Sequence, residues 1–125
     1  METLILISKN DFFDSIINQV GKLFYRYELY SDEQLRILNP ESNSSVRIER
    51  IDFHHICDGT QIEVFDESFK FLAVYYSDIE FLKKIIVSLD LCDVWINNDF
   101  DDINYTFTDY IKKIEDLPDW DWRIR

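Results

Sequence analysis

Glycine, proline and cysteine are scarce in this sequence, which has two of each among 125 residues. Gly21 and Gly59 lie far apart, whereas phosphate-binding loops and dinucleotide fingerprints need several closely spaced glycines. No nucleotide cofactor is therefore expected. Cys57 and Cys92 lack the spacing of metal ligands and are too few for a disulfide framework. We expect both to be reduced, partly buried thiols.

Long apolar runs are also missing. The N-terminal run from Leu4 to Ile7 is much too short to span a membrane or to form the core of a signal peptide. No basic residue precedes this run. These features favour a cytoplasmic protein.

Basic residues are the third deficit. The chain has 13 lysines and arginines against 25 acids, which gives a formal net charge of -12. A charge of this sign repels nucleic-acid phosphates and anionic lipids and attracts basic partners. Apolar residues are nevertheless 46% of the chain, far more than a disordered acidic tail contains. We therefore expect a single folded domain over residues 1–125 that binds neither nucleic acid nor membranes directly.

The spacing of apolar residues predicts an α+β fold, with a central, mostly antiparallel β-meander sheet packed with about three helices. Strands are predicted at residues 3–7, 35–37, 46–53, 62–65, 69–76 and 94–96. The apolar phase changes after Ile48, which predicts a β-bulge near Arg50. The segment 69–76 is apolar on both faces, so this strand is expected to lie centrally.

Three helices are predicted from capping sequences and apolar stripes. The first follows a capping-box-like sequence at residues 8–11, and its stripe from Phe13 to Tyr27 indicates roughly five turns. The second begins at the capping box of residues 77–80, and the third begins at residues 106–109 and ends before Pro118.

The most informative feature is a segment without basic residues between Lys84 and Lys112. The acids within it are Asp90, Asp93, Asp99, Asp101, Asp102 and Asp109. Like charges at close range destabilise the folded state, so their presence favours a functional explanation such as a cationic partner. The alternative is a solvated surface whose aspartates form turns and cap helices.

Two short segments contain residue types that occur in metal or catalytic sites. Residues 97–102 (NNDFDD) carry oxygen ligands at alternate positions, but Asp102 and Thr108 occupy the places where a calcium loop needs glycine and glutamate. His54 and His55 are adjacent, so on a strand they point to opposite faces and cannot easily share a metal. No metal site or catalytic residue is assigned. A small hydrolase that uses His54 or His55 with Cys57 or a carboxylate remains an alternative.

Aspartates alternate with tryptophans from Asp119 to Trp122. Aromatic anchors surrounded by charge are typical of protein interfaces. The alternative is a C-terminal strap whose indoles close the hydrophobic core.

Three segments of the later half carry a resemblance: residues 81–86 (FLKKII), 94–100 (VWINNDF) and 119–123 (DWDWR). In these segments, in size and in acidity, the chain resembles the small acidic immunity proteins of bacterial polymorphic-toxin and contact-dependent growth inhibition systems. The resemblance implies a cytoplasmic antitoxin that binds and blocks the toxic domain of a cognate protein, often a nuclease.

The expected function is therefore toxin neutralisation through an acidic surface, because carboxylates can stand where phosphates would lie in a basic nuclease cleft. The predicted partner-binding residues are Asp93, Asn97, Asn98, Asp99, Asp101, Asp102, Asp119, Trp120 and Asp121. The alternative among binding proteins is a phage-type inhibitor or nucleic-acid mimic that blocks a DNA- or RNA-binding enzyme. The sequence does not separate these two.

Overall fold

A computed structural model describes residues 2–23, 26–52, 65–66, 68–98, 100 and 103–124. The strands of the described chain are β1 (Glu2–Ser8), β2 (Arg26–Ser31), β3 (Gln34–Leu38), β4 (Ser45–Ile51), β5 (Lys70–Tyr76), β6 (Val94–Asn97) and β7 (Asn104–Thr106). The helices are α1 (Phe13–Lys22), α2 (Ile79–Ser88) and α3 (Phe107–Asp116).

The seven strands form one sheet in the order β2-β3-β4-β5-β1-β6-β7, and every neighbouring pair is antiparallel. The predicted fold class is confirmed: the molecule is a single compact α+β domain with an antiparallel sheet and three helices. The strand from Lys70 to Tyr76 occupies the middle of the sheet, as its apolar sequence predicted.

The three helices pack on one face of the sheet, which we call the helix face. Side chains that alternate along the strands, such as Leu35, Ile37 and Leu72, meet the stripes of the helices here. From the helices, Ile16, Leu82 and Tyr110 are among the side chains that pack in this core. The main hydrophobic core therefore lies between the sheet and the helices.

The opposite face of the sheet carries a second, smaller apolar cluster. Ile5, Ile7, Phe71 and Ala73 belong to it, and Phe65 packs beside them. The central strands are therefore apolar on both sides because each side has its own core. The predicted strand at residues 62–65 falls mostly outside the described residues.

Helix α1 is shorter than its sequence predicts, because it ends at Lys22 and not near Tyr27. Leu23, the C-cap, already has extended backbone angles, and Tyr27 lies in β2. All six residues of β2 are exposed, although polar and apolar residues alternate from Arg26 to Leu29. The apolar spacing of α1 continued into β2 by coincidence.

The predicted bulge near Arg50 is wrong. Strand β4 pairs with β5 without interruption from Val46 to Ile51. The apolar phase changes because Ile51 belongs to the cluster on the opposite face, whereas Val46 belongs to the main core. A register shift is found instead between β2 and β3, at Leu29 and Ser31.

The helix starts agree with the sequence to within a residue or two. Thr106 caps α3 as predicted, since its hydroxyl accepts a hydrogen bond from the amide of Asp109 at 3.2 Å. In α2 the capping residue is Asp78 and not Ser77. The predicted capping box before α1 is not formed, because Phe12 is the N-cap and provides no side-chain bond.

The depth of the main core gives a stability prediction. Leu35 is 0% exposed, so we expect Leu35→Ala to lower the free energy of unfolding by about 2–5 kcal/mol through lost burial and a cavity. Leu117 is 52% exposed, and Leu117→Ala is the matched control, with an expected change below about 0.5 kcal/mol. Urea unfolding followed by circular dichroism measures both. Equal effects of the two variants would contradict this placement of the core.

Candidate partner-binding surface

The β6–β7 hairpin places two of the predicted contact residues in the interior. Asn97 is 1% exposed, and its side-chain amide donates a hydrogen bond to Oδ1 of Asn104 at 3.0 Å. Asn98 is fully buried, accepts a bond from the amide of Phe100 at 2.9 Å and donates to the Tyr110 hydroxyl at 3.4 Å. Asn97 therefore links β6 to β7, Asn98 links the hairpin to α3, and neither side chain is part of the exposed surface.

The aspartates near this hairpin divide into two groups. Asp99, Asp101 and Asp102 lie outside the described residues. Asp93 is exposed and has a positive φ of 57°, a left-handed conformation that aspartate adopts more readily than most residues. The turn before β6 therefore presents a solvated carboxylate.

The C-terminal segment from Asp119 to Ile124 is a strap that closes the core, one of the two possibilities raised by its sequence. Trp122 is 2% exposed, and its indole N–H donates to the Tyr76 hydroxyl at 2.7 Å. The backbone oxygen of Pro118 accepts a bond from the Lys83 ammonium at 3.0 Å. These bonds fix the strap to both the sheet and α2.

Trp120 is half-buried within an aromatic group formed with Tyr105, Tyr110 and Trp122. The ring centroids of Trp120 and its neighbours are 5.0 to 6.2 Å apart, in edge-on or tilted arrangements that favour aromatic pairs. The Lys113 ammonium lies 4.3 Å from the Trp120 centroid. Trp120 thus has a structural role and retains only a partly exposed edge for a partner.

The two aspartates of the strap differ in their surroundings. Asp121 forms a bidentate pair with Arg123, with distances of 2.9 Å to Nε and 2.7 Å to Nη2. The hydrogen bonds from Arg123 hold the pKa of the Asp121 carboxyl below its usual value. Asp119 is exposed, and no ion pair joins it to another residue of the described segments. Asp119 is therefore the more available of the two.

The end of α3 adds acidic residues that the sequence analysis did not select. Glu115 and Asp116 are exposed in its last turn, next to Leu117, which is also exposed. A helix C-terminus carries partial negative charge, so acids at this position are unfavourable. This pair of acids, two residues before Pro118, was a visible signal in the sequence. We call Asp109, Glu115, Asp116 and Asp119, with Leu117, the α3 acidic surface.

The remaining features concern the hydrolase alternative, metal ligands and membrane-spanning helices. His54, His55 and Cys57 lie outside them, so the hydrolase alternative has no structural description. No group of three metal-ligating side chains occurs in the described segments, and Cys92 is an exposed free thiol. Among the three described helices, none has the length and apolar character needed to span a bilayer.

A cavity of about 730 Å³ borders β4 and β5. The described residues that line it include no histidine, cysteine or serine. One acid in it, Asp11, forms an ion pair with Arg50 at 2.6 Å.

The buried Tyr76 hydroxyl, which Trp122 of the strap contacts, leads to a prediction about stability and pH. Burial raises the pKa of Tyr76 from 10.0 to about 12. Between these values the unfolded chain loses the phenolic proton first, so stability that is present below pH 10 falls as the pH rises. The slope is at most about 1.4 kcal/mol per pH unit for one proton.

Urea unfolding between pH 9 and pH 11.5 measures this slope, with Tyr76→Phe as the comparison. The variant lacks the titrating group, so its stability should fall less steeply with pH than that of the unmodified chain. Parallel slopes in the two proteins would show that Tyr76 does not retain its proton in the folded state.

Comparison of the chain with models of protein families, with curated proteins and with solved structures finds no match in any of the three. The interpretation of function therefore depends on the chemistry of the surfaces described above.

Proposed function

We propose that this protein is a bacterial immunity protein that binds a cognate toxin domain and blocks it without catalysing a reaction. In this proposal it acts in the cytoplasm, and its target is a basic toxin domain such as a nuclease. The contact surface is the α3 acidic surface together with Asp93 and the acidic residues Asp99, Asp101 and Asp102. Asn97 and Asn98 are omitted because their side chains are buried.

The observation that carries the proposal is the position of Glu115 and Asp116 at the C-terminus of α3. Acids here oppose the helix dipole and cost folding free energy, typically about 0.3–1 kcal/mol each, whereas Lys113 in the same turn interacts favourably with the dipole. Asp119 adds a third negative charge just beyond the helix. Within the described chain no lysine or arginine forms an ion pair with these three acids. A cationic partner would convert this unfavourable arrangement into binding energy.

The surface also supplies apolar contact area. Leu117 is 52% exposed among the acids, and Ile124 in the strap is 74% exposed. Protein interfaces commonly have apolar anchors surrounded by a charged rim, in which the anchors supply affinity and the charges speed association. The surface is held rigidly, because α3 packs on the sheet and the strap is bonded to Tyr76.

The first experiment is co-purification with the product of the neighbouring gene. We expect a stable one-to-one complex when that product is a toxin, and protection of cells that express both proteins. A toxin that remains free and active in the presence of excess protein would contradict the proposal.

The second experiment locates the surface. Charge reversal of Asp93, Asp116 and Asp119 to lysine should slow association with the toxin at least tenfold at low salt and weaken its salt dependence. The matched control reverses Asp32, Glu33 and Glu41, which are exposed in turns of the other half of the sheet. Stopped-flow measurements at several salt concentrations should show a much smaller effect for this control. Equal effects would mean that only net charge matters.

The same measurement applies to Asp99, Asp101 and Asp102. We expect the reversal of all three to lysine to slow association with the toxin about as much as the triple reversal of Asp93, Asp116 and Asp119 does. Unchanged binding and protection would remove this segment from the contact surface and leave the α3 acidic surface as the site.

A further inference from the structure

Strand β2 forms one edge of the sheet and is unusually exposed. All six of its residues are exposed, and among the described strands it pairs only with β3. Three of the seven exposed large hydrophobic residues in the described segments lie on it: Tyr27, Leu29 and Tyr30. An edge of this kind offers unpaired backbone N–H and C=O groups to another strand.

We propose that two copies of this chain associate through β2, as an antiparallel pair with a two-fold axis at Tyr27. A two-fold interface brings the same surface of each copy together, so the strand must be complementary to itself. The resulting dimer would contain one continuous sheet of fourteen described strands, twice the seven of one chain. This inference is independent of the proposed antitoxin activity.

The side chains of β2 select this register. Arg26 and Glu28 point to the face opposite the helices, since they lie across from Leu38 and Arg36 of β3, whereas Tyr27 points to the helix face. When Tyr27 faces its copy, Arg26 lies directly opposite Glu28 of the second chain, and this happens twice. Opposite charges at facing positions stabilise a strand pair, and the two tyrosines can pack on each other.

Other registers are less favourable. An axis at Glu28 places two glutamates directly opposite each other, which is destabilising. An axis at Leu29 places Arg26 opposite Asp32, which lies in the turn beyond the end of β2. It would also centre the pair on the register irregularity between Leu29 and Ser31. No other described residue forms an ion pair with Arg26, so its charge is available.

The distribution of charge explains why a second copy is a suitable occupant despite a net charge of -12. The α3 acidic surface packs next to β6 and β7, at the opposite edge of the sheet from β2. Strands lie about 4.8 Å apart, so joining two sheets at β2 would separate the acidic ends by roughly 60 Å. Charges separated by much more than the Debye length of about 8 Å are screened. Pairing through β7 would instead bring the acidic ends together.

The test measures self-association by analytical ultracentrifugation from about 1 µM to about 500 µM. We expect a reversible monomer–dimer equilibrium in the unmodified chain. Arg26→Glu and Glu28→Arg should each weaken the dimer about tenfold or more, because each places like charges opposite each other twice. The double variant exchanges the two charges and should restore association to within about threefold.

Lys84→Glu is the matched control, since Lys84 is exposed on α2 and the substitution changes the charge as Arg26→Glu does. Its dimer should be as strong as that of the unmodified chain. A monomer over the whole concentration range would overturn the proposal. So would a dimer that resists all β2 variants, or one that the double variant fails to restore.

Hydrogen exchange provides a test that does not depend on the folding of variants. Amides of residues 26–28 that face outward should gain protection as the concentration of the unmodified chain rises. Unchanged exchange in β2 under conditions where a dimer forms would place the interface elsewhere and contradict the proposal.

Discussion

The pairing of β1 with β5 is the constraint on which the rest of this fold depends. The two strands pair without interruption from Glu2 with Tyr76 to Ser8 with Lys70, in the middle of the sheet. Both are apolar on both faces, so each face must be covered to remove these side chains from water. One face is covered by the helices, and Phe65 packs on the other.

The cover over the helix face is completed by the chain terminus, which links stability to the candidate surface. Trp122 reaches the Tyr76 hydroxyl at the end of the central strand, and Trp120 packs on Tyr110 of α3. The strap and α3 are therefore a single packed unit. Because this unit is held by buried aromatic contacts, its outer side can carry unfavourable charge without loss of shape.

Much of the fold could be predicted from the sequence where one face of an element is buried. The central strands, α2, α3 and the α+β class follow from apolar spacing and from caps such as Thr106. Strand β2 was not predicted, because Tyr27 continues the three- and four-residue apolar spacing of α1 and was assigned to that helix. The apolar phase changes at Ile51 because this residue packs on the second cluster. With only one core assumed, the same change predicted a bulge.

The candidate site was less predictable for a related reason, since sequence shows charge but not the partners of a side chain. Asn97 and Asn98 lie in an acidic segment, yet buried hydrogen bonds occupy them. Glu115 and Asp116 lie beyond the segment without bases, and only the direction of the helix dipole distinguishes them. The relevant question for an acidic protein is which acids have structural partners.

The described acids can be sorted by that criterion. Asp78 caps α2, Asp121 binds Arg123 and Asp11 binds Arg50, so removing these carboxylates would leave donors unsatisfied within the chain. The pKa values of Asp11 and Asp121 are lowered by those partners, as expected for carboxylates that already have a structural role. Asp116 and Asp119 have no such role in the described chain, and Asp116 lies in the last turn of α3, where the helix dipole disfavours an acid. The described chain gives these two carboxylates no ion-pair partner, and for that reason the proposed contact surface includes them.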